Sequence, residues 1–152
     1  MRNSLLGGTT HLLRPLTMDD RVVNDVQSTW KIVESIAPEA AALFYKNLFE
    51  ADPALQPLFK GSMEEQGEKL MQMIGAAVGK LTDLESLIPI LQSLAIRHKG
   101  YGVNTAHYET VGAALLKTLE QGLGPTFTPQ VRDSWTEVYG VISSVMVAAA
   151  EM

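Results

Sequence analysis

The sequence predicts an all-α fold of six or seven helices. Apolar residues recur at spacings of three and four along most of the chain, the period of a helix with one buried face. No alternating apolar–polar segment rises above chance, and no Asn-Gly hairpin turn or internal repeat occurs. Helix-start signals stand immediately before most of the apolar stripes. The 152 residues suit one domain with one core.

Residues 1–16 stand apart, with Arg2 and Arg14 but no acid, around Gly7-Gly8-Thr9-Thr10. Their apolar stretches are too short and broken for a secretory signal. They read as a flexible N-terminal extension, and 17–152 as the folded domain; Met18 could itself begin that domain. Thr17-Met18-Asp19-Asp20 has a hydroxyl and an acid three apart, the pattern of a helix start. The stripe Val22, Val26, Trp30, Val33, Ala37 follows and stops at Pro38, since proline lacks the backbone N–H. A second helix should run from Ala40 to Glu50 and end near Asp52-Pro53, before a short turn containing Leu55, Pro57, Leu58 and Phe59.

Ser62-Met63-Glu64-Glu65 is a capping box opening a helix whose inner face carries Gln66, Leu70, Met73, Ile74 and Ala77. Thr82-Asp83-Leu84-Glu85 is read as another, opening the helix Leu84, Leu87, Leu91, Leu94, Ala95; Pro89 should make its first turns irregular. Lys99 to Asn104 reads as a loop with Gly100 and Gly102. From Thr105 the stripe is Tyr108, Val111, Leu115, Leu119, closing at Gly122 and Gly124. Thr128-Pro129 opens the last helix with proline at its first position, and Val131, Trp135, Val138, Ile142, Val145 and Ala149 form its inner side.

Composition excludes several functions. The net charge of −5 gives no electrostatic support for a nucleic-acid partner. No apolar run reaches the roughly 18 residues of a membrane span, so the expectation is a soluble, cytoplasmic protein without an integral membrane segment. The absence of cysteine removes disulfides, thiolate metal sites and a thiol nucleophile. There is no phosphate loop, no dinucleotide fingerprint, no His-Glu-x-x-His pair and no nucleophile elbow. The three histidines, His11, His98 and His107, are too scattered for a zinc site.

His98 is the exception. It continues the stripe of Leu84, Leu87, Leu91, Leu94 and Ala95, so its imidazole should point inward. Two readings fit the spacing: a hydrogen-bonded core histidine, or an axial nitrogen for a haem iron, which needs one strong ligand beside a flat apolar slot.

Several fragments together carry a resemblance. These are Phe44-Tyr45-Lys46-Asn47-Leu48-Phe49, then Asp52-Pro53, then Pro57-Leu58-Phe59. Further on, His98 is followed by Val103 and by His107-Tyr108-x-x-Val111-Gly112, and the last helix holds Trp135-x-x-x-Tyr139-Gly140-Val141. From about Thr17 to Ala149 the chain resembles the globins, most narrowly bacterial haemoglobins and the globin domain of flavohaemoglobins.

That resemblance implies a globin fold packed around one haem b. His98 matches the iron ligand and Phe59 the corner aromatic on the haem face. Tyr45, Gln66 and Leu70 match the distal residues, and Val103, Tyr108 and Val111 fit haem-contacting positions. A diatomic ligand carrying partial negative charge would be stabilised by the Tyr45 phenol and the Gln66 amide, both donors. Tyr108 matches a tyrosine that hydrogen-bonds the second nitrogen of the ligand histidine and tunes it. The glutamate that accompanies it in relatives falls at Ala150 here, with Glu151 one later. The implied ligands are dioxygen, nitric oxide and carbon monoxide, with a penta-coordinate or water-bound resting iron.

The function expected first is reversible dioxygen binding for storage, delivery or scavenging. The alternative is a nitric-oxide dioxygenase, which would need a separate reductase because no flavin- or NAD-binding module follows. A haem-based sensor and a cofactor-free helical interaction domain are the remaining classes. A monomer or weak homodimer is expected.

Overall fold

The structure, a computed structural model, describes residues 18–151. Among them are six α-helices and two short 3-10 helices, with no strand. The N-terminal extension and Thr17 lie outside the described residues.

Helix α1 (Asp20–Glu34) is capped by Asp19, whose carboxylate accepts from the Arg21 N–H at 2.8 Å. Helix α2 (Ala37–Ala51) begins before Pro38 rather than after it, because proline fits the first turn, where its missing N–H has no helical partner anyway. A 3-10 turn spans Pro53–Leu58. Helix α3 (Met63–Gly79) is capped by Ser62, whose hydroxyl accepts from the Glu65 N–H at 3.4 Å.

Helix α4 (Leu84–Gly100) departs from expectation in two ways. Its cap is Asp83, one residue past Thr82, and its carboxylate accepts from both the N–H (3.3 Å) and the hydroxyl (2.7 Å) of Ser86. Its first turns are regular despite Pro89. The carbonyl that loses its donor belongs to Glu85, which is exposed, so water can replace the bond. The helix also runs on through Lys99 and Gly100, which shortens the expected loop.

Helix α5 (Thr105–Leu123) opens on a reciprocal cap between Asn104 and His107. After a 3-10 turn at Gly124–Thr126, helix α6 (Pro129–Ala150) starts with the Thr128 hydroxyl accepting from the Val131 N–H at 3.2 Å.

The main packings are α2 on α5, α4 on α6 and α1 on α6. Trp30 and Trp135 meet in the core with ring centroids 6.1 Å apart, and the Trp135 N–H donates to Thr29 Oγ1 at 2.9 Å. Asn47, buried between α2 and α5, donates to Thr118 (3.0 Å) and Gln121 (2.9 Å), so its amide is not left unpaired.

Burial is uneven along the helices. It is complete for the second half of α5 (Leu115, Leu119, Leu123), the first half of α6 (Val131, Trp135, Val138) and the start of α4 (Leu84, Leu87, Leu91). Toward the opposite ends several apolar side chains are only partly covered, although Ala95 and Met146 among them are buried: Leu94 on α4, Tyr108 and Val111 on α5, Ile142 and Val145 on α6, while the half-covered Leu70 and Ile74 of α3 line a narrow gap against Trp30 and Leu119. The short α4–α5 connection and the pairing of α4 with α6 bring the end of α4, the start of α5 and the end of α6 to one end of the bundle. The ends of α4 and α6 are tied there by Lys99, whose Nζ donates to the Ala150 carbonyl at 2.9 Å.

Candidate functional site

His98 stands in this half-covered end, on the last turn of α4. Its Nδ1 lies 2.9 Å from the Leu94 carbonyl, one turn back in the same helix. A carbonyl can only accept, so Nδ1 carries the proton and Nε2 keeps a bare lone pair. Nε2 makes no hydrogen bond among the described residues. Burial, aided by the neighbouring Arg97, pulls the imidazole pKa below its usual value although the Leu94 bond opposes this, so the neutral, ligating form dominates.

The backbone under His98 is held by the end of its own helix. Gly102 adopts φ +99°, a conformation that favours glycine. This lets the Val103 N–H reach back to the His98 carbonyl at 3.0 Å while the Gly102 N–H bonds Lys99 at 3.1 Å, the six-to-one and five-to-two pairing of a Schellman motif. Val103, nominated as a haem contact, thus also fixes the backbone that carries the imidazole, and its side chain is half-buried. Leu58 packs beneath Gly102, with its methyl 3.4 Å from where a Cβ would sit.

Phe59 is half-buried in an aromatic cluster. Its ring centroid lies 5.3 Å from Tyr45 and 5.4 Å from Phe49, both edge-on. Tyr45, on α2, is buried, which pushes its phenol up to about 12 and keeps it a neutral donor at ordinary pH. The hydroxyl donates to the Gln66 backbone carbonyl at 3.2 Å. Gly67 makes that reach possible: a Cβ there would sit 3.0 Å from the Ala41 Cβ, so α3 crosses close over α2. The Gln66 side chain donates to the Lys60 carbonyl at 2.8 Å. Both expected distal donors therefore sit beside one another, each engaged with a backbone carbonyl. Leu70 is one turn further along α3, half-buried.

The expected bond between Tyr108 and the histidine is not formed. Leu94 takes that nitrogen, because a carbonyl one turn back is already in place, and the Tyr108 hydroxyl makes no hydrogen bond among the described residues. Tyr108 is instead held through its backbone. Tyr139 donates to the Tyr108 carbonyl at 2.6 Å, its ring lying where a Cβ on Gly112 would be, 2.6 Å away. Burial, with Tyr108 close by, raises the Tyr139 phenol and keeps it protonated. Val111 is half-buried one turn on from Tyr108, and Glu151 is exposed.

Sequence reasoning gives no site role to the Leu94 carbonyl, Gly67 or Gly112. Leu94 was findable, four residues before His98; the glycines signal only as helix-interior glycines. An open notch of about 340 Å³ between α1 and α6, lined by Arg21, Gln130, Ser134 and Glu137 among others, contains none of the predicted site residues.

A half-covered apolar end beside a histidine with one unpartnered ring nitrogen is what a flat, metal-bearing group would need in an all-helical protein. The globin family model matches residues 42–146. The chain is 34% identical over 136 residues to neuroglobin of Danio rerio, covering 80% of this chain and 85% of that protein. It is similar in structure to a bacterial globin from Campylobacter jejuni, with TM-score 0.77, 25% identity, and coverage of 88% of this chain and 96% of the other. It also resembles, in fold, an engineered carbene transferase made from a Rhodothermus marinus protein described as a candidate nitric oxide dioxygenase (TM-score 0.79, 21% identity, 89% and 94% covered).

This chain belongs to the globin family. Globins bind haem, oxygen and related diatomic gases. The residues present fit that cofactor: one imidazole nitrogen is unpartnered, and the surrounding apolar side chains leave surface that the protein itself does not cover. No helix of the described residues is long and apolar enough to cross a membrane.

Proposed function

We propose that this protein binds dioxygen reversibly on a haem b held by His98 Nε2, with Tyr45 as the principal distal donor. The observation that carries the reading is the His98 arrangement: Nδ1 tied to Leu94, Nε2 bare, and a fixed backbone beneath. A chain without cysteine has no thiol for covalent haem attachment, which favours haem b. When bound, haem supplies the iron on which a diatomic gas is held.

The protein's own residues then have distinct tasks. The Leu94 carbonyl fixes the tautomer and makes the imidazole a stronger donor of its lone pair. Leu94, Val111, Ile142 and Val145 offer apolar surface to a flat ring, while Phe59 and Leu70 bound the pocket and exclude water.

Tyr45 is the better placed of the two donors. Its 3.2 Å contact with Gln66 is longer than the usual O–H···O range, so a stronger acceptor can displace it. The Gln66 amide makes a normal 2.8 Å bond to Lys60 and must give it up before serving a ligand.

Tyr45→Phe should therefore speed dioxygen release by about 2- to 10-fold, the kinetic equivalent of one neutral hydrogen bond. Gln66→Leu should change it less. Stopped-flow displacement by carbon monoxide measures both, and an unchanged rate in Tyr45→Phe refutes the distal assignment. Sustained consumption of nitric oxide by the oxygenated protein with a separate flavin reductase would move the reading to a nitric-oxide dioxygenase; a single stoichiometric oxidation would keep it with dioxygen binding.

A further inference from the structure

Helix α4 has a second face that the haem reading does not use. Its inner side packs on α6 and carries His98, while its outer side faces solvent. Of the five large hydrophobic side chains exposed among the described residues, two lie on that outer side: Ile90 (46% exposed) and Ile96 (60%). Pro89 and Ser93, both exposed, lie between them. From Ser86 to Ile96 the sequence holds no charged residue, which is unusual for a solvent-facing helix stretch in a protein of net charge −5.

The charges of α4 are confined to its ends, and they are opposite. Asp83 and Glu85 flank its start; Arg97 and Lys99 stand in its last turn. A helix acidic at one end, basic at the other and uncharged between is complementary to an antiparallel copy of itself. Such a contact is isologous, so every favourable pair occurs twice.

We propose that the outer face of α4 is a self-association surface on which a second copy of this chain packs its own α4 antiparallel. A two-fold axis near Ser93, small enough to allow close approach, sets Ile90 of each copy against Ile96 of the other. Glu85 then falls within a turn of Arg97 across the interface. The helix is about 25 Å long, from its 17 residues at 1.5 Å each. One helix pair of that length falls at the small end of specific interfaces, so the dimer is weak, with half-association on the order of tens of micromolar.

The test is sedimentation of the haem-loaded full chain over a hundredfold range of concentration. The expected result is a mass rising from one copy toward two, with added salt weakening the association. Ile96→Glu should hold the protein as a single copy while its visible spectrum and helicity stay as they were. Glu85→Arg or Arg97→Glu alone should each weaken association about tenfold, since two exposed ion pairs become two repulsions. Combining the two reversals should restore it, an outcome that damaged folding cannot imitate.

A single copy at every concentration overturns the proposal. So does a dimer indifferent to Ile96→Glu, or a double reversal as weak as the single ones. Wild-type protein that stays single but binds a reduced flavodoxin, an acidic electron donor, through this face also overturns it, because the face would then belong to a redox partner.

Discussion

Around Trp30 and Trp135, helices α1, α3, α5 and α6 close on each other until Leu119, Val138 and Trp135 are almost wholly covered. Toward the end that carries His98, the same kinds of side chain on α4, α5 and α6 stop half-covered, and Leu94, Val111, Ile142 and Val145 keep contact with the outside. The helices are continuous through both regions, so the difference is not one of secondary structure. It lies in what completes the packing. The first region is finished by protein; the second presents apolar surface to something else. Stability should reside mainly in the first and ligand retention mainly in the second, and that division can be broken experimentally.

The largest effect should come from the closed end. Trp135→Ala removes a fully buried ring and its bond to Thr29, which should cost about 3–5 kcal/mol in urea unfolding, with or without haem. Ile142→Ala, on the same helix but at the open end, should cost the cofactor-free protein less than about 1.5 kcal/mol, because less area is lost from cover. Its effect should appear instead as faster haem transfer to an apoprotein acceptor. Equal stability losses in the two variants would erase the distinction between the regions.

Gly112→Ala tests the junction. Its Cβ would meet the Tyr139 ring at 2.6 Å, so the ring must move and loosen its hold on the Tyr108 carbonyl. Overpacking of this kind should cost about 1–3 kcal/mol. Haem retention should fall as well, and a variant that loses stability alone would place Tyr108 outside the cleft.

The smallest effect concerns pH. Burial lowers the His98 pKa, so below about pH 6.5, the ordinary imidazole value, the unfolded chain binds a proton that the folded chain resists. The contribution to stability is complete above that value and is lost as pH falls from it toward the folded pKa. Urea midpoints of the cofactor-free protein should therefore drop more between neutral and mildly acid pH than those of His98→Leu. Parallel profiles would contradict the burial of the imidazole.

The contrast also explains what the sequence made legible. The all-α class, the order of helices and the caps at Ser62 and Thr128 follow from local pattern and were readable. Asp83 displaced Thr82 as a cap because both are good caps, and only the backbone shows which one meets Ser86. Pro89 leaves the helix regular because the cost of a lost helical bond depends on whether water reaches the freed carbonyl, and Glu85 is exposed. His98 stands out by its place on the leucine stripe, Phe59, Tyr45 and Gln66 only through family resemblance, and the structure brings Tyr45, Phe59 and Gln66 together. The partner of His98 was missed: resemblance pointed across to Tyr108, while the helix supplied Leu94. Gly67 and Gly112 matter through approaches between helices distant in sequence, which one-dimensional spacing does not encode.

We propose His98 Nε2 as the anchor of haem in the half-covered end. Titrating cofactor-free protein with haemin, followed by absorption from the Soret band to the visible region, tests it most directly. The expected result is a sharp, saturable Soret change with an end point at one equivalent, and in His98→Ala a weakened end point with a spectrum no longer that of a histidine-ligated iron. A wild-type titration without an end point, or a His98→Ala titration identical to wild type, would contradict it.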